Sequence, residues 1–500
     1  MKISNPLLKM DMPDMDVIKA NGYYYMVSTT MFFMPGGPIL RSKDLKNWEI
    51  VSYIFDTIAD NDIYSLKNGK NAYGAGQWAT SLAYNDGRFY GAFVCNDLKK
   101  TFIYSSDDIE KSFWNQHVLD GIYHDMSFLF WENRSFLVYG NGDIYITELN
   151  EQLTGIKKDG LNKLLFSTPG AEDGIMLRCE GCRAYVRNDY IYLCFIEWPK
   201  EGHGNERRRE ICYRSKSLEG PFERRIIFDD DMEDNNRGIA QGVLIEGYDN
   251  KWYSMLFQDH GGIGRIPYLI PMKWENDWPI IGIDGKAPKT FEIATPEYQV
   301  APIAVSDSFD YAKNELPVQF QWNHNPINSA WSFTERRGYL RLVNTVIADS
   351  LLTARNTLTQ RTVLPKSVYT IEGDFSNLKD GDVAGISAFM GHYGMIGITK
   401  DDGRHYILFK LFDGTERRFD CFKLKGFNCK SFWLRIVFDF ENNDKAYFYY
   451  SCDGKEFIAM DESLDMEFTL DVFVGYRLGI FSYPTREIGG YSDFRNLILE

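Results

Sequence analysis

The sequence predicts an all-β protein in two parts, a five-bladed β-propeller over residues 1–295 and a β-sandwich over residues 305–500. Three observations lead there. A hairpin pattern returns five times in the first part of the chain. It stops at a proline-containing stretch, FEIATPEYQVAP, after which differently spaced strand runs take over. Almost no segment carries the helical period of about 3.6 residues.

Each copy of the repeat opens on a polar or aromatic residue, enters a short apolar strand, turns, and returns as an aromatic-rich strand. The copies are PDMDVIKANGYYYMV, QWATSLAYNDGRFYGAF, HDMSFLFWENRSFLVYG, CEGCRAYVRNDYIYLCF and AQGVLIEGYDNKWYSMLF. Between their strands lie Asn21-Gly22, Asp86-Gly87, Glu132-Asn133, Asn188-Asp189 and Asp249-Asn250. Such dipeptides favour tight hairpins because they tolerate positive φ. Further strand-like runs, PILRSKDLKNWEIV after the first copy and TFIYSSD after the second, fill out units of four strands. Units of this length are propeller blades.

In a propeller the innermost strand of each blade lines the central axis, so the five opening residues, Asp14, Trp78, Asp125, Glu180 and Gln241, converge on one funnel. Three of them are carboxylates. Buried unpaired acids are costly, so packing alone would not place three at equivalent positions. Two carboxyl groups flanking a glycosidic bond can hydrolyse it with inversion, one activating water and one protonating the leaving oxygen, when roughly 6.5–9.5 Å separates them. A third acid nearby raises the proton donor's pKa by like charge. Asp16 and, less strongly, Asp11 rival Asp14 for its place among the three acids.

After residue 305 the runs GYLRLVN, SVYTIEGDF, AGISAFM, YILFKLF, FWLRIVFDF, KAYFYYS and YRLGIFS alternate with Asp-Gly turns at 380–381, 402–403, 413–414 and 453–454. Short strands with such turns predict two packed sheets.

Composition excludes several classes. A net charge of −15 argues against a nucleic-acid partner. The one basic run, Arg207-Arg208-Arg209 in KEGHGNERRRE, reads as a solvated loop. Aromatics make up 15% of the chain, which suits strand packing first and sugar stacking second. Eight cysteines in 500 residues do not describe a disulfide scaffold. Cys179-x-x-Cys182 has no second pair or histidine at zinc spacing. No run of 18 apolar residues predicts a membrane span, and the opening MKISNPLLKMDMPDMD carries no secretory h-region. The expectation is a cytoplasmic protein with reduced thiols and a small oligosaccharide as its partner, a homo-oligomer being left open. No cofactor is required on this reading.

At this point the residues carry a resemblance. PDMDVIKANGYYYMVST with PGGPILRSKDLKNWEIV, QWATSLAYNDGRFY, HDMSFLF, RCEGC and FQDHGGIGRIP, in that order, resemble glycoside hydrolase family 43, the β-xylosidase and α-L-arabinofuranosidase group. FQWNHNPINSAWSFTERRGYLRL, TARNTLTQRT and GGYSDFRNLIL are similar to that family's C-terminal concanavalin-like module. The resemblance implies an exo-acting, inverting glycosidase on plant hemicellulose oligosaccharides. It implies that Asp14 is the general base, Asp125 the acid that tunes pKa, and Glu180 the general acid. Arg265 would bind sugar hydroxyls, with Trp78 and Gln241 completing the sugar-binding set. Met15 and Met126 stand where many members have proline. Ala240, in GIAQG, stands where many have a histidine that helps hold a calcium or water cluster on the axis, so an axial calcium is in doubt. A second calcium near Asp307, Asp310 or Asp493 has no supporting ligand spacing. His260 reads as a structural imidazole. The alternatives are a non-catalytic carbohydrate-binding protein and a glycosidase of another linkage. The sandwich is expected to pack on the propeller and lend a loop that closes the pocket.

Overall fold

The computed structural model describes residues 1–200, 207–234, 237–414, 416–423 and 431–500, with the side chains of 416–423 excepted. Residues 201–206 of the KEGHGNERRRE run, together with Cys429 and the Cys421 side chain, lie outside the described residues. Helical structure among the described residues amounts to four 3₁₀ turns of three residues each.

Five antiparallel four-stranded sheets form the blades. Their inner strands are Asp16–Ala20, Ser81–Asn85, Ser127–Trp131, Ile175–Arg187 and Ala240–Glu246, and each neighbours the next in a closed ring. Blade one continues through Tyr23–Val27, Gly36–Ser42 and Glu49–Phe55. The hairpin turns are where sequence chemistry acts most directly. Asn21 and Gly22 stand at φ 52° and 79°, Asp86 and Gly87 at 48° and 81°, Glu132 and Asn133 at 50° and 59°, Asn188 and Asp189 at 49° and 60°. Positive φ at both central residues matches the twist of the flanking strands. The fifth hairpin differs. Its strands end at Glu246 and resume at Trp252, and a five-residue turn is closed by the Gly247 N–H donating to the Lys251 carbonyl at 2.7 Å. The Asp249 side chain accepts from the Tyr253 hydroxyl at 2.7 Å, which stabilises this wider turn.

Closure of the ring is reinforced by a short pairing outside the blades, Lys2–Ser4 against Thr290–Glu292. The sequence repeat contains no signal for it.

The second part is two packed sheets of eight and seven strands. One strand of the larger sheet, Phe33–Met34, comes from inside blade one and pairs with Trp322 and Asn323. A single apolar core therefore runs from blades one and two into the sandwich, taking in Phe33, Phe55, Phe93, Trp322, Phe389 and Phe481. His324 accepts the Ala72 N–H at 2.8 Å and is buried, which holds its imidazole down to about 3 and therefore neutral. The sandwich is thus fused to the propeller by a shared core and a shared sheet.

Candidate active site

A cavity of about 300 Å³ lies at the mouth of the propeller axis, and its lining includes Asp14, Trp78, Asp125, Glu180, Gln241 and Arg265. The five opening residues of the repeat and the arginine meet in one place. The backbone explains how. Asp14, Asp125 and Gln241 stand at φ 53°, 48° and 61°, a left-handed kink at the start of the inner strand that turns the side chain out of the pleat. Non-glycine residues hold this conformation only where the surroundings enforce it, and such strain gathers at functional sites. In blade four the kink falls one residue later, on Gly181 (φ 68°), whose N–H donates to Asp125 Oδ2 at 3.0 Å. A Cβ at Gly181 would stand 2.7 Å from the Gln241 side chain, so glycine is required for Glu180, Asp125 and Gln241 to approach.

Asp14 is held by Arg265, whose Nη1 lies 3.0 and 3.2 Å from the two carboxylate oxygens. Both side chains are buried, and a guanidinium of fixed shape orients a carboxylate as a lysine could not. Arg265 Nη2 donates to the Phe473 carbonyl at 3.1 Å. Phe473 and Leu470 come from the sandwich segment between Ile458–Asp465 and Arg477–Pro484 and complete the lining. The Phe473 ring packs on Trp78 at 5.2 Å between centroids.

Asp125 and Glu180 form an acidic pair bridged by a residue that the sequence reading missed. His124 Nε2 is 3.3 Å from Glu180 Oε2 and 3.7 Å from Asp125 Oδ2. The Asp125 charge, helped by Glu180 and opposed by burial, pushes the imidazole up to about 9. Burial pushes Asp125 up to about 6, against the pull of His124 and with added repulsion from Glu180 and Asp14. Glu180 also accepts from Asn141 Nδ2 at 2.6 Å. These three side chains are the one group of three or more acids, histidines or cysteines close enough to share a metal among the described residues. The pocket therefore holds one carboxylate locked to an arginine and, elsewhere on its wall, a second carboxylate in a proton-sharing cluster.

The rival acids lie elsewhere. Asp16 accepts the Leu82 N–H at 2.8 Å and lines the opposite end of the axis. Asp11 accepts the N–H groups of Arg265 at 2.8 Å and Gly475 at 3.1 Å, tying the Arg265 strand to the sandwich loop. Burial raises the pKa of both. Gly264 (φ 98°) makes the Asp11 contact feasible, since a Cβ there would stand 2.4 Å from Asp11 Oδ1.

The basic run is not a solvated loop. Residues alternate about the start of Arg209–Ser215, so Arg208 and Glu210 point inward. Arg208 lies on the pocket wall, pairs with the buried Asp259 and stacks over Trp198 at 4.8 Å. Arg207 reaches Asp229, and Arg209 holds Glu197. Three consecutive arginines carry no mark of this alternation, and the buried acid that draws Arg208 inward is distant in sequence. His260 is hydrogen-bonded to Gln258 and Tyr268, both at 2.8 Å, in keeping with a structural imidazole.

The residues do not fit the calcium sites considered from sequence. Ala240 offers no ligand atom, and the axis below the pocket is filled by Arg183, whose guanidinium takes the Asp14 and Cys182 carbonyls at 2.8 and 2.9 Å. In the sandwich, Asp493 is gripped by Arg336 and Arg341. Asp307 accepts from Phe309 and Tyr311, and Asp310 pairs with Arg337. Cys179 and Cys182 are buried in blade four.

A five-bladed propeller with an acidic axial pocket, capped by a concanavalin-like sandwich, defines a class of glycosidase. Residues 3–279 match the family model described as "Glycosyl hydrolases family 43", and residues 306–499 match "Beta xylosidase C-terminal Concanavalin A-like domain". The chain belongs to glycoside hydrolase family 43. It is 29% identical to a protein of Formosa agariphila named "Beta-xylosidase", over 98% of this chain and 88% of that one. It is 28% identical to a Bacteroides ovatus protein named a non-reducing end α-L-arabinofuranosidase, over 69% of this chain and 65% of that one. Among solved structures, a bifunctional GH43-CE protein of Bacteroides eggerthii superposes with a TM-score of 0.93 at 38% identity, covering all of this chain and 63% of that one.

Proposed function

We propose that this glycosidase removes single terminal pentosyl units, β-D-xylosyl or α-L-arabinofuranosyl, from the non-reducing ends of short hemicellulose oligosaccharides, with inversion at the anomeric carbon. The observation that carries this reading is the pocket itself. Its volume is at the small end of ligand sites, which run roughly 300–1,000 Å³, and the sandwich residues Leu470 and Phe473 cap it. Such a pocket suits one ring at a chain end. The names of the relatives support the choice of pentoses.

In the mechanism a water molecule attacks the anomeric carbon while Asp14 takes its proton. Arg265 keeps the Asp14 carboxylate aimed and leaves no freedom for it to rotate away. The bond from the anomeric carbon to the glycosidic oxygen breaks, and that oxygen takes the proton of Glu180. The His124 imidazole stands 3.3 Å from Glu180, and Asp125 belongs to the same cluster of side chains. Burial raises the pKa of Asp125 to about 6, and the charges of Asp125 and Glu180 hold the His124 imidazole protonated up to about 9.

The test is hydrolysis of 4-nitrophenyl β-D-xylopyranoside and 4-nitrophenyl α-L-arabinofuranoside by wild type and Glu180→Ala, with the product anomer read by NMR. Turnover that collapses in the variant, and an inverted product, is the expected result. Turnover of neither glycoside by folded wild type would sink the pentose reading, and a retained anomer would sink the inverting one.

For location, we propose a reducing, cytoplasmic setting. Cys95, Cys179, Cys182, Cys194 and Cys212 are free and buried, as expected where thiols stay reduced. Recovery of the native protein in an osmotic-shock fraction would overturn this.

A further inference from the structure

One side chain fills the propeller axis beneath the pocket floor. Arg183 projects from the bulged inner strand of blade four, Ile175–Arg187, and is 1% exposed. Its Nη1 donates to the Cys182 carbonyl at 2.9 Å. Its Nη2 donates to the Asp14 carbonyl at 2.8 Å and lies within 3.3 Å of the Thr80 and 3.4 Å of the Met15 carbonyls. Its Nε is 3.7 Å from Asp16 Oδ2. One guanidinium thus touches blades one, two and four, and its charge also bears on the buried Asp125 of blade three and Glu210 of blade four.

This arrangement has a chemical meaning. Carbonyl oxygens converging from several strands, with a carboxylate beside them, are the donor set that a hard cation takes. Here those lone pairs receive N–H groups from a side chain that stays charged in proteins. A metal ion could enter only by expelling a buried guanidinium from five oxygen neighbours. The same contact bears on Asp14. At φ 53° that residue sits in the left-handed region, where an aspartate remains only if the surroundings over-determine it. Arg265 fixes its carboxylate from the pocket side, and Arg183 fixes its carbonyl from the axial side.

We infer that Arg183 is a positioning residue that serves as the built-in axial cation of this enzyme, holding the Asp14 peptide in its kinked conformation and making hydrolysis independent of a metal ion. The inference rests on the reading of Asp14 as the base. Arg183 touches no reacting atom and acts through Asp14, so its loss should lower kcat and leave KM nearly unchanged.

Three measurements decide it. Arg183→Ala, checked for native packing by near-ultraviolet circular dichroism, is expected to lose about 100-fold in kcat, the scale of a small misplacement of a reacting group, with KM within about threefold. Millimolar guanidinium ion should restore a substantial part of that loss, and urea, of the same shape without the charge, should not. A folded variant with wild-type kcat, or equal rescue by urea, overturns the inference. Should Arg183→Ala fail to fold, Arg183→Lys takes its place: it keeps the charge but cannot fork across two blades, and wild-type kcat in that variant overturns the inference. Wild-type enzyme dialysed against EDTA is expected to keep its kcat, and activity that is lost and then restored by calcium overturns the inference whatever the variants do. Asp14→Ala run alongside separates the two readings. If it remains active, the assignment of the base has failed; if it is inactive while folded Arg183→Ala is fully active, only the axial role has failed.

Discussion

The floor and the lid of the pocket are built on different principles. The floor is a repeat: five inner strands bring Asp14, Trp78, Asp125, Glu180 and Gln241 to one funnel because each occupies the same place in its blade. The lid is a single irregular segment of the sandwich, Leu470 to Phe473, tied to the propeller by hydrogen bonds that include the Gly475 N–H donating to Asp11, Arg265 donating to the Phe473 carbonyl and the Tyr476 N–H donating to the Gly262 carbonyl. Symmetry gathers these residues, and one unrepeated segment encloses them. Changes to the floor should therefore act on the reaction step, and changes to the lid on binding.

The largest effect tests the floor. Asp14→Ala is expected to lower kcat by about 10³-fold, within the range of a lost general base, with substrate affinity measured by calorimetry largely kept. A weaker effect of opposite kind tests the lid. Phe473→Ala should cost roughly 10–100-fold in kcat/KM, carried mainly by KM, as when an apolar contact to a bound group is lost. A fall in kcat at unchanged KM would erase the distinction between floor and lid. Asp11→Ala should resemble Phe473→Ala in its kinetics, since it releases the same segment, and should add a loss of thermal stability.

Smaller effects concern charge within the floor. Burial raises Glu210 to about 8 from an ordinary value of 4.5. The folded state therefore binds this proton more tightly than the unfolded one. The resulting stability is full below about pH 4.5 and is lost as pH rises through 8. Glu210→Gln removes that dependence and should raise the unfolding free energy at pH 8.5, read from denaturant titration, by an amount of order 1–3 kcal/mol, with little change at pH 4.5. His124 follows the same sign. Raised to about 9 by Asp125 and Glu180, it contributes stability that is full below about pH 6.5 and lost as pH rises through 9. His124→Gln should flatten stability across that window, and an unaltered slope would show that the imidazolium is not held by the two acids.

The same contrast explains what the sequence could convey. The blades and the five opening residues were legible because position in a repeat is written in spacing and turn dipeptides. Arg265 was legible only by resemblance, since it belongs to the third strand of its blade, Arg265–Glu275, and has no counterpart in the other units. His124 lay beside Asp125 in plain view, yet nothing in HDM says that its ring turns toward a glutamate 56 residues away. Arg208 was misread because a triple arginine among acids usually is solvated, and the burial of Asp259 that draws it in is a tertiary fact. The lid was expected in kind but not in residues, because an irregular loop has no period to read. Pairing of Lys2–Ser4 with Thr290–Glu292, and of Phe33–Met34 with the sandwich, joins segments remote in sequence and leaves no local mark.

The bond from the Gly475 N–H to Asp11 spans 464 positions of the chain, and this has a consequence for how the enzyme is made. A ribosome makes Asp14 hundreds of residues before Phe473, so the floor of the pocket is synthesised well before the segment that encloses it. A nascent propeller can close on itself once the strand Thr290–Glu292 emerges, yet its Phe33–Met34 strand stays unpaired until Trp322 and Asn323 arrive. A product interrupted between Trp322 and the lid therefore carries Asp14, Asp125 and Glu180 without the cap over their pocket.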